Sequence, residues 1–180
     1  FAQARVDVTI DTTSLPIGKI GLRGDPTPEF LSAVESAIGV SPPVEPGFVA
    51  VSGSHKVLWL GPTEWLVGMP LDEHSDTTVT LDTKLRGQHV AIVDLSDAMT
   101  LLTISGPDAR LLLAKGCGLD LHPRVFGRDR CARSSLAKLG VLIHQTDELP
   151  SYDLYVDRGY ADYAVRWLEQ AAVSFFAIAN

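Results

Sequence analysis

The two halves of this sequence carry the same order of secondary-structure signals, displaced by 82 residues. Four positions of the first half share their chemical character and local context with four of the second. These pairs are Leu22 and Ile104, Gly24 and Gly106, Phe30 and Leu112, and Trp59 and Val141. Each half predicts a strand, a Gly-Pro stretch, an amphipathic helix, a loop, two strands and a helix. The repeat favours an α+β fold built from a duplicated βαββα-type module.

The length and composition set the number of domains. The chain has 180 residues, of which 46% are hydrophobic, and that is enough to bury a substantial core. We expect a single domain over 1–180, with halves at about 18–87 and 90–175 and an N-terminal arm at 1–17.

Local signals place the elements within each half. Thr27 and Pro28 precede apolar residues at helical spacing, and Gly39 follows them, which predicts a capped amphipathic helix. The residues between 57–60 and 64–67 predict the turn of a β-hairpin. The other predicted strands are 6–10, 19–23, 91–95, 100–105, 135–145 and 152–156. The other predicted helices are 77–86, one opened by residues 106–108, and 161–172.

The charge and the hydropathy pattern exclude several classes of protein. A net charge of −7 is the opposite of that expected for a nucleic-acid-binding protein. No run of about 18 apolar residues predicts a membrane-spanning helix. Residues 1–10 lack the charged and apolar regions of a secretory signal, so we expect a cytoplasmic protein without a membrane or nucleic-acid partner.

The potential metal ligands are scattered. Cys117 and Cys131 lack the paired spacing of a zinc site and are too few for a disulfide framework, so we expect two reduced thiols. The five histidines lie on separate predicted elements, and no two are four residues apart. No metal-binding residue is therefore predicted.

The sequence also gives no convincing catalytic or cofactor-binding residue. No Gly-rich loop has the spacing that binds a dinucleotide or a triphosphate, and no nucleophile-elbow pattern is present. Asp94, Asp97 and Asp120 lie near predicted strand or helix ends, where a general base could act. Asp97 follows Ser96 at a predicted turn, and turn chemistry explains both residues without catalysis.

Two features indicate a surface for another protein. Trp59 and Trp65 flank the predicted hairpin turn, where they could bind a ligand or fill a core or an interface. The second feature is the basic segment, residues 115–133, which has five basic and two acidic side chains within an acidic chain. It could dock on an acidic partner surface or remain a solvated loop. The candidate interface residues are Trp59, Trp65, His122, Arg124, Arg128 and Arg130.

Three segments resemble known families. Residues 93–110, VDLSDAMTLLTISGPDAR, resemble a motif of the folate-binding glycine-cleavage T-protein superfamily. Within it, residues 113–127, LAKGCGLDLHPRVFG, and 58–67, LWLGPTEWLV, are similar to signatures of the gamma subunits of heterotetrameric sarcosine oxidase. The similarity runs from about residue 55 to 172. It implies the fold of the superfamily's folate-binding domain.

The resemblance also implies an activity for the assembled enzyme. Such an oxidase converts sarcosine, oxygen and tetrahydrofolate to glycine, hydrogen peroxide and methylene-tetrahydrofolate. In that family FAD, NAD and the folate site belong to the alpha subunit, FMN to the beta subunit and zinc to the delta subunit. No catalytic residue is assigned to gamma, so the implied role is assembly and stabilisation beside these three partners.

One departure from the superfamily separates the remaining alternatives. Folate-dependent members carry two adjacent acidic residues where this chain has Ile143 and His144. An isoleucine cannot act as a base or as a carboxylate anchor. This weakens the alternative of a stand-alone folate-dependent one-carbon transferase. The equivalent subunit of a related N-methyl amine demethylase remains open.

Overall fold

The computed structural model describes residues 7–12 and 17–177. The chain forms two compact units. We call Leu15–Met99 the N-terminal unit, and Phe1–Ser14 together with Thr100–Asn180 the C-terminal unit.

The described residues form strands with α-helices interspersed along the chain. The strands are β1 (Thr9–Asp11), β2 (Ile17–Arg23), β3 (Val49–Ser52), β4 (His55–Gly61), β5 (Glu64–Pro70), β6 (Ala91–Asp94), β7 (Met99–Ser105), β8 (Arg130–Leu136), β9 (Leu139–Asp147) and β10 (Ser151–Asp157). The α-helices are α1 (Pro28–Ile38), α2 (His74–Lys84), α3 (Ala109–Ala114) and α4 (Ala161–Ala177).

Each unit contains one five-stranded sheet. The order is β3-β4-β5-β2-β6 in the N-terminal unit and β1-β7-β10-β9-β8 in the C-terminal unit. The predicted α+β class and the duplication are confirmed, since β2 and β7 differ by the predicted 82 residues at both ends. Each repeat nevertheless has one strand more than predicted, β3 in the first and β8 in the second.

Helix α1 is defined by local signals that were readable in the sequence. The Thr27 hydroxyl accepts a hydrogen bond from the Phe30 amide at 3.2 Å, and Pro28 occupies the first turn. Gly39 ends the helix with φ of 73°, a conformation in which a side chain would be strained. Phe30, with the rest of the buried face, packs into the core of the N-terminal unit.

The predicted strand over 135–145 is confirmed for 139–145, which belong to β9. It is wrong as one continuous strand, because a hairpin turn at 137–138 separates this part from 135–136, which belong to β8. Ala137 and Lys138 form the turn between β8 and β9, with φ of 50° and 75°. Two-residue turns of this kind are usually recognised by Asn-Gly or Asp-Gly. Ala-Lys gives no such signal, so the turn was not readable from composition.

The edge strands β1 and β6 each join the sheet of the other repeat. Strand β6 leads into β7 along the chain but pairs with β2, with Asp94 opposite Ile20. Strand β1 leads towards β2 but pairs with β7, with Thr9 opposite Ser105. The predicted boundary at 87–90 assigned β6 to the second half, whereas its hydrogen-bonding partner is in the first. A single domain over 1–180 stays a prediction.

Candidate functional site

The basic segment is irregular only in its middle. Its first residues follow α3, and the Lys115 ammonium donates to the Ala171 carbonyl of α4 at 2.7 Å. Its last residues, 130–133, belong to strand β8. The interpretation of the whole segment as a loop is therefore wrong for 130–133. We call residues 118–129 the basic loop after the segment to which they belong, although within the loop itself Arg124 and Arg128 are equalled in number by Asp120 and Asp129.

Two apolar side chains anchor the basic loop in the core of the C-terminal unit. Leu121 and Phe126 are each only 4% exposed. Between them, the amides of Val125 and Phe126 donate to the His122 carbonyl at 2.8 and 2.9 Å. The His122 amide donates to an Asp120 carboxylate oxygen at 2.9 Å. These contacts give the loop a defined turn and leave the side chains of His122 and Arg124 exposed.

The end of the loop is held by Asp129. This residue has φ of 59°, and its amide donates to the Gln145 carbonyl of β9 at 2.9 Å. Its carboxylate lies 3.4 Å from Arg128 Nε and 3.9 Å from Nε2 of the buried His144. Arg128 remains 62% exposed, whereas Arg130, at the start of β8, is half-buried. The structure thus brings His122, Arg124 and Arg128 to one short loop.

The two candidate tryptophans belong to the N-terminal unit and differ from each other. Trp65 is fully buried, with its ring centroid 5.4 Å from that of Phe30 and its indole N–H donating to the Pro43 carbonyl at 2.8 Å. The prediction that Trp65 lies at a partner interface is therefore wrong, because its fully buried side chain presents no surface to a partner. Trp59 lies opposite it on β4, half-buried against the same core.

The candidate general bases serve as turn residues. The Asp94 carboxylate accepts from the Ser96 amide at 2.8 Å and lies 3.2 Å from His74 Nε2. Hydrogen bonds from Ser96, and then the charges of His74 and Lys19, lower the pKa of Asp94. A lowered pKa keeps the group ionised and makes it a weaker base. Asp120 likewise accepts from a nearby amide in the basic loop.

Positions 143 and 144, where folate-dependent members of the superfamily carry two acidic residues, lie on β9. Ile143 is fully buried in the core of the C-terminal unit, and His144 is 3% exposed. Nδ1 of His144 lies 4.0 Å from an Asp153 carboxylate oxygen, and the other oxygen accepts from the Thr103 hydroxyl at 3.1 Å. Sequence reasoning missed this polar cluster. The available signal was a charged residue, Asp153, between Tyr152 and Leu154 in the middle of strand β10.

The potential metal ligands among the described residues are dispersed. No three histidine, cysteine or carboxylate side chains among them are grouped to hold a metal ion. A cavity of about 580 Å³ in the N-terminal unit is lined by apolar residues such as Met69 and Leu71 and by the polar residues Ser54, Lys56 and Asp72. Cys117 and Cys131 are both buried, and no disulfide joins them. Within the described ranges, no helix has the length and apolarity needed to cross a membrane.

Comparisons with known proteins cover nearly the whole chain. The model of the sarcosine oxidase, gamma subunit family matches residues 23–174. The gamma subunit of sarcosine oxidase from Corynebacterium sp. (strain U-96) is 37% identical over 161 residues, which are 88% of this chain and 77% of that protein.

Two solved structures are also similar. A chain of the heterotetrameric sarcosine oxidase from Corynebacterium sp. U-96, in complex with pyrrole 2-carboxylate, is 35% identical with a TM-score of 0.86. That match covers 94% of this chain and 85% of the other. Aminomethyltransferase T of the glycine cleavage system from Bartonella henselae is 16% identical with a TM-score of 0.64, over 92% of this chain and 46% of that one. This second likeness concerns the fold alone.

Proposed function

Because the chain belongs to the sarcosine oxidase gamma subunit family, we propose that it is the gamma subunit of a heterotetrameric sarcosine oxidase. The observation that carries the proposal is the agreement of sequence and fold, along almost the whole chain, with one subunit of a solved oxidase. In the assembled enzyme, sarcosine, oxygen and tetrahydrofolate give glycine, hydrogen peroxide and methylene-tetrahydrofolate.

The role of this chain in the complex is assembly rather than chemistry. Ile143 stands in the core where folate-dependent relatives of the fold carry an acidic residue, and its neighbour His144 is buried. These residues do not fit a folate site. The proposal assigns FAD, NAD and the folate site to an alpha subunit, FMN to a beta subunit and zinc to a delta subunit. It places the enzyme in the cytoplasm, where thiols such as Cys117 stay reduced.

The basic loop is the surface through which the chain docks on an acidic face of the alpha or beta subunit. Arg124 and Arg128 are exposed on a loop that Leu121 and Phe126 already fix in the core. A guanidinium pairs with a carboxylate through two parallel hydrogen bonds and is more weakly hydrated than an ammonium. A loop that is ordered before binding loses less conformational entropy on association.

The composition of the native complex tests the family role. Purification of the tagged chain from its own cells is expected to recover three further polypeptides with flavin. The recovered complex is expected to release hydrogen peroxide when sarcosine is added. Comparing sarcosine with dimethylglycine distinguishes a sarcosine oxidase from a related N-methyl amine demethylase. Flavin bound in stoichiometric amount to the chain alone, or saturable binding of tetrahydrofolate to it at micromolar concentration, contradicts the proposal.

Charge reversal tests the docking surface. The double variant Arg124→Glu/Arg128→Glu is expected to associate more slowly and to leave the complex at lower salt concentration. Pairs at an interface rim mainly set the association rate and its salt dependence, which explains both effects. Lys84→Glu/Arg86→Glu at the end of α2 is the matched control, because it changes the net charge equally at another exposed site. Equal salt tolerance of the two double variants contradicts docking through the loop.

A further inference from the structure

The cavity in the N-terminal unit is bounded by parts of the chain that are fixed to each other. Strand β5 ends at Pro70, and a 3₁₀ turn, Leu71–Glu73, follows directly. One Glu73 carboxylate oxygen accepts from the Ser54 hydroxyl at 3.3 Å, and the other lies 3.5 Å from His55 Nε2. These contacts join the 3₁₀ turn to the start of β4, so the walls of the cavity are held in place within the unit itself.

The surface inside this cavity is mostly apolar. Its apolar lining residues are Ile17, Met69, Pro70 and Leu71. Lys56 adds its methylene groups, because a Cβ at Gly68 would lie 3.2 Å from Lys56 Cγ and 3.7 Å from Cδ, which places the stem along that glycine. The volume of about 580 Å³ is within the range of ligand pockets, about 300–1,000 Å³. Leu71 is 45% exposed at this cavity, which therefore offers a place for an apolar side chain of a partner.

The charge around the cavity is negative. Residues 15–99, which form the N-terminal unit, contain eleven acidic and five basic side chains and carry most of the chain's net charge of −7. Residues 71–76 contain three acidic side chains and no lysine or arginine. Asp72, which lines the cavity, and Asp76, in the first turn of α2, are exposed. A basic segment would meet these two carboxylates with the opposite charge, whereas a second copy of this face would bring like charges together.

We propose that the cavity receives an apolar side chain from a basic segment of a partner subunit, whose lysine or arginine residues pair with Asp72 and Asp76. An apolar anchor in a pocket, with charged pairs at its rim, is the arrangement in which a few residues provide most of the binding energy. The basic loop belongs to the C-terminal unit, so the two surfaces select partner segments of opposite charge. The inference rests on the proposed function only in taking the partner to be another subunit of the oxidase.

Hydroxyl-radical labelling of the native complex, read by mass spectrometry, tests whether a partner covers the cavity. Leu71 and Val79 are 45% and 66% exposed in the chain. After scaling for intrinsic reactivity, we expect Leu71 to be labelled about fivefold less than Val79, because an anchored partner excludes water from it. Labelling of Leu71 in proportion to its exposed fraction overturns the proposal. Leu71→Ala is expected to weaken retention of the chain in the complex about tenfold, and Val79→Ala to leave it unchanged.

Neutralising the two carboxylates tests the charge of the partner. Asp72→Asn/Asp76→Asn is expected to slow association and to make it less sensitive to salt, as expected for pairs at an interface rim. Asparagine is used rather than lysine, because a cation at the start of α2 would oppose the helix dipole. Glu35→Gln/Glu45→Gln is the matched control, since it removes the same charge at exposed positions of the same unit. Equal salt dependence of the two double variants overturns the proposal.

Carbodiimide coupling of carboxylates to lysine amines in the native complex identifies the occupant. Asp72 is expected to couple to another subunit, within a peptide that also contains an apolar residue. Coupling only to lysines of this chain or of a second copy overturns the proposal, because the cavity is then filled by the chain's own residues or by self-association. A native chain that purifies without other subunits instead contradicts the proposed function.

Discussion

Replacing Phe126 with alanine tests whether the basic loop is anchored before it meets a partner. Phe126 is 4% exposed and packs with Leu121 in the core of the C-terminal unit. A buried phenylalanine contributes about 150–250 Å² of apolar surface. If truncation to alanine loses about 120–160 Å² of this, the cost is about 3–4 kcal/mol at roughly 25 cal/mol per Å². Core Phe→Ala substitutions typically cost about 3–5 kcal/mol, in agreement with this value.

The adjacent Val125 supplies the control, because it is 58% exposed on the same loop. We expect Val125→Ala to lower the free energy of unfolding by less than about 1 kcal/mol. Urea unfolding of both purified variants, followed by circular dichroism and compared at equal m-value, measures the difference. For a chain of this size, a loss of 3–4 kcal/mol also lowers Tm by roughly 6–16 °C. If the two variants differ by less than about 1 kcal/mol, Phe126 does not anchor the loop.

Three further predictions concern buried groups. Burial, and then the charges of Asp153 and Cys131, raise the pKa of Tyr155 well above its ordinary 10.0. As the pH rises, the unfolded chain therefore loses this proton before the folded chain does, and the free energy of unfolding falls above pH 10. Tyr155→Phe is expected to make this fall less steep when unfolding is measured over a series of alkaline pH values. Ile143→Asp is expected to lower the free energy of unfolding by roughly 3–5 kcal/mol, because it buries an unpaired carboxylate. Its control, Ile143→Val, is expected to lower it by about 0.5–1.5 kcal/mol. Calorimetry is expected to show no tetrahydrofolate binding to the Ile143→Asp variant. Cys117→Ala/Cys131→Ala is expected to leave assembly and bound metal unchanged, and a loss of zinc in elemental analysis would contradict that expectation.

The basic loop shows how far sequence reasoning reached at the candidate surface. The excess of basic residues identified the segment, and the structure leaves Arg124 and Arg128 exposed within it. The same reasoning treated Arg130 as a loop residue, whereas it begins β8. Strand β8 is polar and lies at an edge, so it lacks the apolar alternation that marks a half-buried strand. Its strand character comes from its hydrogen bonds to β9.

Trp65 illustrates the same limit for a single side chain. Its position beside a hairpin turn was readable from the sequence, but a tryptophan there can face a partner or a core. Trp65 lies on the face of β5 that packs against α1. Its ring centroid is 5.4 Å from that of Phe30, and its side chain has no exposed surface. Burial of such a residue depends on contacts between elements that are distant in the chain.

The sequence by itself determined the features that depend on a few neighbouring residues. These include the ends of α1 at Thr27 and Gly39, the apolar face between them, and the repeat that aligns β2 with β7. Caps, turns and periodicity are short-range, so their signals lie within about one or two turns of chain. The absence of an acidic residue at position 143 was likewise visible directly.

Only the tertiary structure decided which strands become neighbours. The chain order places β6 before β7 and β1 before β2, yet each pairs with a strand of the other repeat. It also decided that β8 is the last strand in the order of its sheet. Strand pairing is set by backbone hydrogen bonds between segments that are distant in sequence, and those bonds are chemically alike for all residues except proline. A local pattern therefore predicts that a strand forms but does not specify its partner.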